Sequence, residues 1–284
     1  EVNEGRGSPH GGVFLDIASQ RSPDEIKRKL PSMYHQFKQL ADVDITTDPM
    51  EVGPTCHYTM GGVRVHPETQ ETSIPGLFAA GEVAAGLHGA NRLGGNSLSD
   101  LLVFGNRAGQ YAAEFAAKES TPALDDAQLE KHVKGALDPF ERPDGENPYV
   151  LHEELRKMMQ RKVGIVRAED ELKSAIEDIQ KLRERARNVG ITGNIQYNPG
   201  WHLALDLWNM LDISEVVARA ALTRQESRGG HTREDFPESD KEHWGKVNLV
   251  ATQHEGSIVI REEPLPEMPE ELRAIIDGKV EVHA

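Results

Sequence analysis

Cysteine is nearly absent from this sequence: Cys56 is the only one among 284 residues. A single thiol excludes an internal disulfide and any multi-thiolate metal or iron–sulfur site built by this chain alone, and points to a reducing compartment. Positive charge is also scarce, with 32 Lys and Arg against 47 Asp and Glu and a net charge of −15. Nucleic acid is therefore not expected as a partner, since a phosphate backbone needs a basic face. An anionic substrate would have to be held by a few local cations. Aromatic residues make up only 5% of the chain, and no apolar run reaches the ~18 residues that a membrane-spanning helix needs. Docking on a membrane-bound partner stays open. The chain opens on Glu1 in "EVNEGRGSPHGG", without an initiating methionine or a signal peptide, and reads as the C-terminal part of something longer.

The length is ample for a real core and for about two domains, and the composition, 37% apolar, is globular and helix-leaning. Residues 1–54 read as a helix end that stops on Gly5 and Gly7, a strand at Val13 to Ile17, and one amphipathic helix through "SPDEIKRKLPSMYHQFKQL" capped by Ser22. A strand pair is expected within "GPTCHYTMGGVRVHPETQETSIPGLFAAGEV", then a glycine-rich region and a long helix to about Glu119. Helix patterns dominate from Asp125 to Arg228, where Leu172, Ile176, Ile179 and Leu182 form one stripe, read as bundle core. From Lys246 the text turns to two strands, "KVNLVATQ" and "GSIVIREE", before a proline-marked tail.

The stretch that carries chemistry is "HGANRLGGNSLSDLLVFGNRAG", beginning at His88. Arg92 stands just before the pair Gly94 and Gly95, and Asn96 and Ser97 are suited to cap a helix carrying Leu98, Leu101, Leu102 and Phe104. A helix start gathers unpaired N–H groups and a partial positive charge of about half a unit. This segment reads as an anion site. Upstream, Leu77 to Ala80 form a short buried strand ending on Gly81 and Glu82. A strand, a glycine, a carboxylate and a helix N-terminus in that order commonly hold a nucleotide cofactor. Spacing alone leaves a cofactor site and a plain α/β crossover equally open.

Five stretches taken together resemble the flavoprotein subunits of succinate dehydrogenase and fumarate reductase: "EGRG" (4–7), "PTCHYTMGG" (54–62), "PGLFAAGE" (75–82), "HGANRLGGNSL" (88–98) and "ESRGGHTREDFPESDKEHW" (226–244). They span nearly the whole chain in the family's order. Gly230 departs from the pattern, standing where alanine is more usual. The resemblance implies an α+β chain: residues 1–54 as the end of a capping domain, 55–119 as the C-terminal part of an FAD-binding α/β domain, 120–243 as a helical-bundle domain, and 244–284 as a small β-containing C-terminal cap. Family members begin with a Gly-rich βαβ unit and a histidine that commonly carries flavin, neither of which can be located here. The implied reaction is oxidation of succinate to fumarate, or the reverse, by hydride transfer to FAD. Electrons would pass to an iron–sulfur subunit, with membrane anchor subunits engaged indirectly, as in complex II of electron transport and the tricarboxylic acid cycle. The implied location is peripheral, on the cytoplasmic side of a bacterial-type membrane. No metal site is expected.

Residue roles follow from the same resemblance. Arg92 would grip a substrate carboxylate, a task suited to a planar fork that lysine lacks; the plainer reading is a helix-capping or surface ion pair. His57 would donate to the second part of the dicarboxylate, with Cys56 as a small buried neighbour, although a lone histidine is usually structural. Arg6 would exchange the proton, an uneasy role for a guanidinium whose reference pKa lies above ~12 unless burial and neighbouring cations lower it. The alternative for Arg6 is a cation that stabilises charge while water carries protons. Glu82 would contact FAD, through a ribose hydroxyl, and Ser97 and Leu98 would offer backbone N–H groups to the pyrimidine side of the isoalloxazine. For Arg228, His231 and Arg233, a structural role is preferred over closing on the cofactor. Rivals are a soluble L-aspartate oxidase, whose corresponding stretch reads nearer "NRLASNSL", and a non-catalytic fragment.

Overall fold

The computed structural model describes residues 2–53, 56–120 and 122–278, with residues 3 and 4 described by their backbone alone. The chain is α+β and divides into two compact units, residues 1–59 and 60–284.

The first unit begins with one wide helical turn, Val2–Arg6, interrupted at Gly5, whose φ of +77° only glycine adopts freely. Strand β1 (Val13–Leu15) pairs antiparallel with β2 (Met50–Val52), Phe14 facing Glu51 in the register. Gly12 is required beside this pair, because a Cβ there would lie 2.4 Å from the Val52 carbonyl oxygen. The single helix expected over 22–40 is two: α1 (Pro23–Lys29) and α2 (Pro31–Leu40). Pro31 supplies the break. Its ring excludes the helical conformation from the preceding residue, and Leu30 sits at φ −126°, ψ 48°. Ser22 caps α1 as expected, accepting from the Glu25 amide at 3.3 Å. Ile26, Ile45 and Met50 form a small buried core, with Tyr34, Phe37 and Val52 packed on it.

The second unit starts with a stretch of turns rather than the expected strand pair. Among the described residues only isolated bridges form there, Val63 beside Ala84 and Glu71 beside Phe78. Leu77 to Ala80 make no strand, and Leu77 is 49% exposed. A strand needs neighbours along both edges or a face to bury, and among the described residues this segment has one bridge partner. Phe78 is held instead by the far end of α3 (Asn96–Lys118), edge-on to Phe115 at 6.3 Å between ring centres. The helical region follows as α4 (Asp126–Leu137), α5 (Pro148–Lys162), α6 (Glu169–Ala186) and α7 (Pro199–Thr223). Its core matches the expected stripe. Leu172 and Ile179 are fully buried, Leu182 nearly so, in one cluster with Leu151, Leu155, Leu207 and Leu211, and Ile176 is partly buried at its edge.

Two residues each from β3 (Val166–Arg167) and β4 (Thr232–Arg233) pair in parallel beside this bundle. The two C-terminal strands appear as read, β5 (Val247–His254) and β6 (Ser257–Pro264), in an antiparallel hairpin. Glu255 (φ 49°) and Gly256 (φ 79°) make its turn, the doubly positive geometry that suits the twist of a two-residue loop. A short helix, α8 (Glu270–Ile276), ends the described chain. None of the described helices is long and apolar enough to cross a membrane.

Candidate active site

The residues singled out from the sequence divide between the units: Arg6 and His57 in the first, Glu82, Arg92, Ser97 and Leu98 in the second. Arg6 ends the wide turn and is exposed. His57 and Cys56 lie exposed in chain without regular structure. The expected burial of Cys56 is therefore corrected: the segment has no helix or strand to press it into a core. Pro54 and Thr55 of the same motif lie outside the described residues.

In the second unit the sequence builds a turn, a loop and a helix start. Gly81, at φ +76°, opens the turn Gly81–Val83, closed by the Ala84 amide on the Gly81 carbonyl at 2.9 Å. The positive φ favours glycine here, and a Cβ at this position would also push aside the Leu101 side chain of α3, whose Cδ2 would lie 2.7 Å away. Glu82 stands exposed on this turn. Beyond it, the loop reaches α3 through Gly95, which is the cap residue at φ +84°. The expectation that Asn96 and Ser97 cap the helix is corrected here. Both are already helical, and no side chain caps the end.

Freed from capping, the Ser97 hydroxyl accepts from Arg92 Nη1 at 2.5 Å. Arg92 and Ser97 are thus brought together, both half-buried. The Leu98 amide donates to the Gly95 carbonyl at 3.1 Å, so it can serve a ligand only as a shared donor. A Cβ built on Gly86, Gly89, Gly94 or Gly95 would meet nothing within 4 Å among the described residues. Bare backbone, an uncapped start to a 23-residue helix and a nearby carboxylate fit a flat, anionic cofactor.

A partner of the loop escaped the sequence reading. Gly230 donates its amide to the Ala90 carbonyl at 3.0 Å, and Gly229, at φ +62°, comes so close that a Cβ would sit 2.2 Å from the same oxygen. The glycine pair in "SRGGH" was the available signal. Behind this contact, Arg233 is 1% exposed and donates to the Ala221 and Leu222 carbonyls at 2.8 and 3.1 Å, closing the C-terminus of α7. Glu226 is fully buried between Arg224 and Arg228, at 2.7 and 3.0 Å. Arg167 Nη1 lies 2.7 Å from His231 Nδ1, and His231 Nε2 lies 3.1 Å from the Arg224 carbonyl. Arginine can only donate, so Nδ1 accepts and Nε2 carries the proton, a neutral imidazole. Burial, then the charges of Arg167, Arg233 and Arg224, hold the His231 pKa below its ordinary value. Burial and Arg233 likewise depress Arg167.

Comparison with known proteins decides the family. Residues 1–98 match the family model described as "FAD binding domain", and residues 152–273 match "Fumarate reductase flavoprotein C-term". The chain belongs to the succinate dehydrogenase and fumarate reductase flavoprotein family. It is 41% identical over 269 residues to one of the subunits of the fumarate reductase (CoM/CoB) of Methanothermobacter marburgensis, covering 92% of this chain and 47% of that protein. The succinate dehydrogenase flavoprotein subunit of Coxiella burnetii is 37% identical, covering 78% of this chain and 40% of its own length. Among solved structures, Mycobacterium smegmatis Sdh1 in complex with UQ1 superposes at a TM-score of 0.87 with 52% identity, over 98% of this chain and 47% of that one. E. coli quinol fumarate reductase gives 0.84 with 32% identity, over 93% and 46%. The chain spans about half the length of the curated relatives it matches. FAD is the cofactor of this flavoprotein family.

Proposed function

We propose that this chain forms part of a flavoprotein subunit that interconverts succinate and fumarate. The observation that carries the reading is the Arg92–Ser97 contact at 2.5 Å, which fixes a half-buried cation at an uncapped helix start beside bare glycine backbone. The domain assignment proposed is 1–54 capping, 55–119 FAD-binding, 120–243 helical and 244–284 C-terminal cap.

In the oxidising direction one C–H bond of succinate gives up its electron pair as hydride, the adjacent carbon gives up a proton, and the two carbons become doubly bonded. FAD supplies the hydride acceptor. Arg92 holds one carboxylate by its two parallel N–H bonds, and the imidazole of His57 donates to the other end. Arg6 takes the proton from the second carbon. Glu82 accepts a ribose hydroxyl, and the Ser97 amide with the dipole of α3 stabilises negative charge near the pyrimidine edge. The two electrons leave to an iron–sulfur subunit, and the assembly docks peripherally on the cytoplasmic side of a membrane through further subunits.

The test uses the full-length subunit containing this chain, loaded with FAD. Succinate-dependent dye reduction and fumarate-dependent oxidation of a reduced dye are expected. Turnover of L-aspartate with neither of these would overturn the reading in favour of a soluble aspartate oxidase.

A further inference from the structure

The loop that carries Arg92 is rich in glycine, with Gly89 at φ +55°, Gly94, and Gly95 at φ +84°. Such a segment has many conformations to lose, so a fixed guanidinium needs fixed loop ends. Arg92 bonding to Ser97 closes the inner part of the loop. A second closure lies outside it. His88 Nε2 stands 3.5 Å from Asp100 Oδ2, and the two side chains are 8% and 5% exposed.

This pair stands apart from the two buried apolar cores, one around Ile26 and Met50 and the other within the helical bundle. Its surroundings on α3 are open: Leu98, Leu101 and Leu102 are 67%, 54% and 76% exposed. A buried carboxylate at such a place requires a donor, and the His88 imidazole is the group that faces it. His88 and Asp100 also bracket Arg92 in sequence, and Ala90 between them receives the Gly230 amide at 3.0 Å.

Resting on the substrate role given above to Arg92, we infer that His88 and Asp100 are positioning residues that hold the loop, and through it the Arg92 fork, in register with the dicarboxylate. Neither touches the reacting atoms. Their removal should weaken the grip on a carboxylate and leave the hydride step nearly intact.

The experiment uses the full-length, FAD-loaded enzyme with His88→Ala, His88→Gln, Asp100→Asn and Arg92→Lys, alone and combined. Malonate is the binding probe, because a dicarboxylate with one central carbon cannot form a double bond within its chain, and its affinity is read from perturbation of the flavin spectrum. His88→Ala and Asp100→Asn are expected to weaken malonate about tenfold and raise the succinate KM by a similar factor, with kcat within about threefold and flavin content unchanged. His88→Gln, which keeps an N–H, should restore most of the affinity. In the Arg92→Lys background His88→Ala should cost nothing further, since it acts through Arg92. Unchanged malonate affinity, a fully additive loss in that background, or loss of flavin from both His88→Gln and Asp100→Asn would each overturn the assignment. Wild-type enzyme that binds malonate but leaves succinate unoxidised removes the proposed reaction and leaves the positioning comparison intact; wild-type enzyme that binds no malonate removes both.

Discussion

Arg92 Nη1 donates to the Ser97 hydroxyl at 2.5 Å, linking the residue assigned to the substrate with the helix start assigned to the flavin. In the proposed reaction, one hydrogen bond would thereby couple the grip on a carboxylate to the stabilisation of the reduced cofactor. Arg92→Lys in the full-length enzyme should lower kcat/KM more than a hundredfold, since an aligned, charge-assisted two-point grip on a carboxylate is commonly worth ~3 kcal/mol. Ser97→Ala keeps the fork but frees its orientation and should cost about tenfold. Steady-state kinetics check both, and an Arg92→Lys enzyme within about threefold of wild type would make Arg92 structural.

Arg6 follows Gly5 at the end of a wide turn and is exposed within its own unit. A proton-transfer group acts in the chemical step, whereas a binding cation acts on affinity. Arg6→Gln should collapse kcat while malonate still perturbs the flavin spectrum. Recovery of the rate at saturating succinate would leave Arg6 as an electrostatic clamp.

Two neighbouring glycines should respond oppositely. Gly229→Ala forces a side chain into the left-handed region at φ +62° and against the Ala90 carbonyl at 2.2 Å, and should destabilise by more than ~2 kcal/mol. Gly230 has no positive φ, and its Cβ would rest 3.8 Å from that oxygen. Gly230→Ala should stabilise by ~0.4–1 kcal/mol through the unfolded chain. Denaturant midpoints of the two variants settle the contrast, and equal effects would contradict it.

His231 gives the helical region a pH dependence of defined sign. Its folded pKa lies below the ordinary 6.5, chiefly through burial. The unfolded chain then binds more protons than the folded one in the window just below that value. Stability from this group is complete above pH ~6.5 and is lost as pH falls toward the folded pKa. Melting temperatures from pH 7.5 down to 5 should fall for wild type and fall less for His231→Gln. Parallel curves would remove His231 from the account.

What the sequence determined by itself was what the backbone's own geometry governs. The 3.6-residue recurrence of Leu172, Ile176, Ile179 and Leu182 gave α6 and its buried face, and the runs "KVNLVATQ" and "GSIVIREE" gave the two C-terminal strands. The Ser22 cap was readable for the same reason, the donor and acceptor being three residues apart. Motif order likewise named the family, while the break at Pro31 showed that local periodicity can be overridden by one proline ring acting on the residue before it. The tertiary structure alone decided what depends on remote segments meeting. The 77–80 segment made one isolated bridge and no strand because burial of a strand is set by its neighbours, not by its own apolar residues. Ser97 became the acceptor of Arg92 instead of a cap because Gly95 turned left-handed first. The Gly229–Ala90 approach and the burial of Arg233 needed chain ends of α7 and the Arg92 loop in one place. No spacing rule reports such contacts, since their energy comes from packing and desolvation between elements that the sequence lists far apart.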